Sequence, residues 1–71
     1  MNIMNYCYVI QRISTYGFVE FFSSQEENML TLTIDEAEHF TDYTASTLKN
    51  HLNETAEDLN TGYKYTKIKR F

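Results

Sequence analysis

One stretch of this chain has helical periodicity and the rest reads with period two, which leaves few folds open. From Tyr43 to about Asn60 the apolar residues Ala45, Leu48, Leu52, Ala56 and Leu59 recur in steps of three and four, so they share one face of a helix. Thr41 or Asp42 stands before it as a cap. Asn60-Thr61-Gly62 follows, with Gly62 placed as the C′ residue that ends the helix. Tyr63 to Phe71 then reads as a closing strand.

Ahead of the helix the pattern is β. Asn5 to Arg12 sets Tyr6, Tyr8 and Ile10 on one side and Cys7 and Val9 on the other, apolar on both faces as a central strand requires. Ser14-Thr15-Tyr16-Gly17 supplies a turn with Gly17 at positive φ, and Phe18 to Ser23 returns as the second arm of a hairpin. After the polar loop Ser23 to Asn28, the alternation of Leu30, Leu32 and Ile34 with Met29, Thr31 and Thr33 predicts a half-exposed third strand. Asp35 to Phe40 forms a helical turn that tucks Ala37 and Phe40 under the sheet. The expected fold is α+β, a two-layer sandwich of a three-stranded meander, one amphipathic helix and a closing strand, βββαβ. The last strand is placed beside the first, which wants neighbours on both sides, and the strand–helix–strand crossover is expected to be right-handed.

At 71 residues the chain is read as a single small domain, 1–71, and a domain of that size buries only about 60% of the surface its unfolded chain exposes. Its one cysteine, Cys7, excludes an internal disulfide and reads as a small buried hydrophobe rather than a nucleophile. His39 and His51 have no second histidine at ligand spacing, and Glu36-x-x-His39 is a single pair where a di-metal centre needs two, so no metal and no cofactor is expected. No glycine-rich phosphate loop or nucleophile elbow is present, and the chain reads as no enzyme. The N-terminus lacks a basic region and a sufficient apolar run for a signal peptide or membrane span, so the expected location is the cytoplasm, with no membrane partner. Asn53-Glu54-Thr55 matches the glycosylation pattern by chance in that compartment.

With six Tyr and five Phe in so short a chain, some rings among Tyr6, Tyr8, Tyr16, Phe18, Phe21, Phe22, Tyr63, Tyr65 and Phe71 are expected on a contact surface.

Charge is segregated. All ten carboxylates lie between Glu20 and Asp58 against one base, Lys49, a formal charge of −9, whereas the last eight residues carry Lys64, Lys67, Lys69 and Arg70 and no acid. One bland account is a solvated acidic helix face neutralised by lysines on the adjacent strand. Against it, Glu54, Glu57 and Asp58 crowd the C-terminal end of the helix, where the macrodipole disfavours acids and Glu54 repels Asp58 across one turn. A local choice that opposes stability points to a functional surface. Glu54, Glu57 and Asp58, with Glu26 and Glu27 of the loop, therefore form the candidate partner-binding set for a basic, nucleic-acid-handling protein, and Tyr16 and Phe18 near the hairpin turn supply apolar anchors. Two other surfaces compete with this one. Tyr63 and Tyr65 interleaved with the bases of the last strand resemble a single-strand-binding track, although an acidic chain disfavours direct nucleic-acid binding. Exposed sheet edges or aromatic faces could also pair two copies into a homodimer.

The segments YVIQRISTYGFVEFF, LTLTIDEAEHFTDYTASTLKNHL and YKYTKIKRF resemble small proteins carried by bacteriophages and other mobile elements of low-GC Gram-positive bacteria. In those a strand hairpin precedes a D-x-x-E-A-x-x-F-like turn, here Ile34 to Phe40, then a helix opening with Thr or Ser, here Thr41 through Leu52, and a final strand. Such proteins share no single activity, so the resemblance carries over no functional residue. Some are inhibitors of host defence, including anti-CRISPR proteins that occupy the nucleic-acid or PAM-binding surface of an effector. The resemblance thus implies a phage-type inhibitor acting in the host cytoplasm, with a CRISPR effector or another nucleic-acid-handling defence enzyme as its partner.

Overall fold

The structure, a computed structural model, describes residues 7–24 and 27–70. It is α+β: a four-stranded antiparallel sheet with one helix laid on it. Strands β1 (Tyr8–Ile13), β2 (Val19–Phe22) and β3 (Leu30–Thr31) form a meander. A short 3₁₀ turn (Ile34–Glu36) and the helix α1 (Asp42–Asp58) follow, and β4 (Lys64–Lys69) closes the sheet on the free side of β1, giving the order β3-β2-β1-β4. The last strand thus lies beside the first. Because β3 and β4 sit on opposite edges and run antiparallel, there is no parallel crossover, and the handedness expected for one does not apply.

β1 is buried on both faces because both faces are covered. Ile10 packs with Phe40 and Ala45, and with Tyr8, Phe22, Leu48, Leu52 and Tyr65, beneath α1. Val9 points the other way and meets Phe21 and Ala37, flanked by Ile34 and Ile68, beneath the 3₁₀ segment. Ala37 and Phe40 are both buried, as their tucked position required, but in opposite layers. The chain changes face between them, where Phe40 pairs through both backbone groups with Tyr8 in the line that β2 has left. Arg70 ties β4 to the covering segment, its guanidinium donating to the Ile34 carbonyl and the Asp35 carboxylate, both at 3.1 Å.

Four sequence expectations are corrected. The third strand pairs over only two residues, not Met29 to Ile34. Thr31 is the buried residue, its hydroxyl accepts the Thr33 N–H at 3.3 Å, and Leu32 is 66% exposed, so the chain leaves the sheet before the alternation is used. The helix is capped at its start by Thr41, whose side chain accepts the Thr44 N–H, but its C′ residue is Asn60 (φ 55°) rather than Gly62. The bonds from Asn60 N–H to the Glu57 carbonyl (3.1 Å) and Thr61 N–H to the Ala56 carbonyl (3.0 Å) form a Schellman motif around it. Leu59, expected on the buried stripe, is the C-cap and is 69% exposed. Cys7 precedes β1 and is half-buried rather than interior. Tyr6, Glu26 and Phe71 lie outside the described residues.

Candidate partner-binding site

The β1–β2 turn is held by its first residue. Ser14 Oγ accepts the N–H of Tyr16 (3.2 Å) and of Phe18 (3.0 Å), the Ser14 carbonyl accepts Gly17 N–H (3.0 Å), and Ser14 N–H donates to the Phe18 carbonyl (3.0 Å). Gly17 takes φ 82°, open to glycine and costly for other residues. With its backbone bonded in this way, the turn presents Tyr16 at 96% exposure and Phe18 at 56%, with the half-exposed Val19 next to them. Of the rings expected on a surface, Phe21 is buried and Tyr8, Phe22, Tyr63 and Tyr65 are half-buried. Tyr43, a ring the helical pattern gave no reason to single out, is exposed at the first turn of α1.

The C-terminal end of α1 stands beside this tip. β1 climbs to Ile13, which pairs with Lys64 at the start of β4. In the connection between α1 and β4, Gly62 (φ 79°) lies so close to the tip that a Cβ there would overlap Thr15 Cγ2. Glu54, Glu57 and Asp58 are all exposed at this end, and no ion pair holds them among the described residues. Glu57 also lines a groove between α1 and β4 with Asn60, Tyr63 and Lys64. The fold thus brings five of the seven proposed contact residues to one end: Tyr16, Phe18, Glu54, Glu57 and Asp58. Glu27 is exposed on the β2–β3 connection, which leaves from the other end of β2, and Glu26 is outside the described residues.

Three of the bases, Lys67, Arg70 and Arg12, face their own molecule instead. Lys67 Nζ bonds the Asp42 carboxylate and the Ser46 hydroxyl, the latter at 2.8 Å, and stands 5.2 Å from the Tyr8 ring centre. Its hydrogen bond lowers the Asp42 carboxyl below its ordinary pKa. Arg70 is engaged by Asp35 and Ile34 as described above. Arg12 pairs with Glu20 on the neighbouring strand, with its guanidinium 4.0 Å from the Tyr63 ring centre. Burial is the largest single influence on Arg12 and opposes its charge, but the hydrogen bonds to Glu20 and Tyr65, with the Glu20 charge, together outweigh it and the net shift is upward. Part of the acidic helix surface is therefore neutralised by a lysine of the adjacent strand, as the bland account required, at Asp42, and Asp35 of the 3₁₀ turn is paired with Arg70 just beyond that strand. The helix C-terminal acids lie outside that arrangement.

Two residues were not legible as important. Arg12 pairs across strands, which needs the register to be seen. Asn53 was noticed only as part of a glycosylation pattern, yet its side chain bonds both backbone groups of Tyr65 on β4. A carboxamide beside the apolar stripe of a helix, between Leu52 and Ala56, was the available signal. His39 and His51 are both exposed, and among the described residues no group of three His, Cys, Asp or Glu side chains could hold a metal ion. No helix among them is long and apolar enough to cross a membrane. No protein family, curated protein or solved structure compared with the chain matches it.

Proposed function

We propose that this chain is a non-enzymatic inhibitor that binds a host protein through the end where the hairpin tip meets the C-terminal turn of α1. The observation that carries the reading is the juxtaposition there of two exposed rings, Tyr16 and Phe18, with three carboxylates that no ion pair holds among the described residues. The carboxylates steer the encounter and select a basic surface; the rings supply the desolvated anchor that holds it. A basic surface bordering an apolar recess is what a nucleic-acid-handling protein presents. The resemblance to small phage-borne proteins directs the choice to a CRISPR effector or another defence enzyme in the host cytoplasm. The contact rests on Tyr16, Phe18, Glu54, Glu57 and Asp58, since Glu27 belongs to a different connection.

The competing track for single-stranded nucleic acid on β4 is weaker, because Lys67 and Arg70 are already engaged by Asp42 and Asp35 and would have to exchange those partners for phosphates. Three immobilised proteins decide between them: the wild type, Tyr16→Ala/Phe18→Ala, and Glu54→Lys/Glu57→Lys/Asp58→Lys. Each is exposed to lysate of a Gram-positive host carrying CRISPR systems, and the retained material is quantified by mass spectrometry and absorbance. One protein held in stoichiometric amount by the wild type, released by salt and lost from both variants is the expected result. Retention by all three alike, or of nucleic acid without protein, overturns the reading.

A further inference from the structure

β4 is a six-residue edge strand, and such an edge offers a ready ladder to another chain. One rung of it is occupied from within. Asn53, on the part of α1 that overhangs β4, gives its side-chain amide to Tyr65 much as a neighbouring strand would. Its Nδ2 donates to the Tyr65 carbonyl at 3.0 Å and its Oδ1 accepts the Tyr65 N–H at 2.8 Å. Tyr65 stands opposite Arg12 in the β1–β4 register, so with both backbone groups engaged by Asn53 it is a position that turns away from β1. Arg70, of the other parity, sends its N–H inward to the Cys7 carbonyl, consistent with that alternation. A full-length antiparallel pairing of β4 with β4 of a second copy about a twofold axis uses the outward positions Tyr65, Lys67 and Lys69, and the pair of groups at Tyr65 is closed.

The other edge is managed by length. β3 pairs over two residues; Met29 before it takes φ 67°, and Leu32 after it is out of the sheet and exposed. No comparable run of rungs exists there among the described residues. There the Asn28 side chain accepts the Leu30 N–H at 3.3 Å, one group of a two-residue edge, whereas on β4 a side chain engages both backbone groups of a rung in a six-residue edge.

We propose that Asn53 is an edge guard that keeps β4 from pairing with a second copy, and so keeps the chain monomeric. Edge pairing into a homodimer is then a latent property released when the amide is removed, and it is independent of the hairpin-tip contact.

The test is sedimentation equilibrium over a wide concentration range, with circular dichroism to establish that each variant is folded. Wild type is monomeric, and Asn53→Ala dimerises reversibly with self-association tighter than wild type by about tenfold or more. Asn53→Asp keeps the acceptor for the Tyr65 N–H and loses the donor, so it associates to an intermediate extent. Gly17→Ala weakens the fold at the hairpin tip without removing a partner of any outward group of β4, and stays monomeric. A dimeric wild type, a folded Asn53→Ala that remains monomeric, or Gly17→Ala associating as strongly as Asn53→Ala each overturns the proposal. Should Asn53→Ala fail to fold, Asn53→Asp against wild type decides by the same criterion.

Discussion

Gly62 and Gly17 have nearly the same backbone, φ 79° and 82°, but different surroundings, and that difference isolates the contact on which the candidate site depends. Alanine at Gly17 meets nothing within 4 Å and suffers only the left-handed conformation, roughly 1–2 kcal/mol. Alanine at Gly62 suffers the same cost and also drives its Cβ into Thr15 Cγ2, an overlap relieved by turning the Thr15 side chain off its rotamer or by moving the tip, for about 0.5–1.5 kcal/mol more. The entropy that alanine removes from the unfolded chain is common to both and cancels in the comparison. Thr15→Ser deletes the offending methyl, and the next atom, Thr15 Cβ, lies at an ordinary 3.7 Å. In the Thr15→Ser background, Gly62→Ala should therefore cost no more than Gly17→Ala does in the wild type. Urea unfolding followed by far-UV circular dichroism gives all the required free energies if the slopes agree. Equal losses at the two glycines, or no relief from Thr15→Ser, would refute the placement of the hairpin tip against the α1–β4 connection, and with it the grouping of Tyr16 and Phe18 with the helix acids.

Other outcomes follow from single contacts. Thr41→Ala removes the side-chain acceptor of the Thr44 N–H and should lower stability by about 0.5–2 kcal/mol, while Thr41→Ser should restore most of it in the same urea assay. Lys67→Met should raise the Asp42 carboxyl toward its ordinary pKa in an NMR titration, because the lost hydrogen bond is the main cause of its depression. A carboxyl depressed on folding contributes stability above its unfolded pKa that fades as the pH falls through the folded one, so Lys67→Met should flatten the acid limb of stability below about pH 4. Glu54→Gln/Glu57→Gln/Asp58→Asn should raise the melting temperature at low salt and less so at high salt, since the acids oppose the helix dipole. A gain in stability together with loss of the retained partner marks charge kept for binding; a loss of stability would remove the argument for it.

The helix, its Thr41 cap, the Gly17 turn and the place of β4 beside β1 were legible because each depends on local chemistry or on one strand's two apolar faces. The rest depends on residues far apart in the chain. Asn60 terminates the helix because asparagine tolerates the left-handed region, and Gly62 is needed two residues later both for its positive φ and for its close approach to Thr15. The alternation of Leu30, Leu32 and Ile34 suggested one long strand, but Thr31 is the buried residue and the chain bends away after it. Ala37 and Phe40, three apart, suggested one helical face and instead serve two layers. Of the site, Tyr16, Phe18 and the helix acids were recognised by residue type, while their proximity needed the register of β1 with β4. Glu27 was grouped with them by charge alone, which carries no information about position.

The reversal of face between Ala37 and Phe40 also sets how this thin molecule comes apart. The two layers are joined by a link of two residues, Glu38 and His39, and Val9 and Ile10, one in each layer, are joined by a single peptide bond. Neither layer can be stripped from the sheet while the other keeps its register. A chain too small for a deep interior is therefore expected to unfold in one cooperative transition shared by two shallow ones.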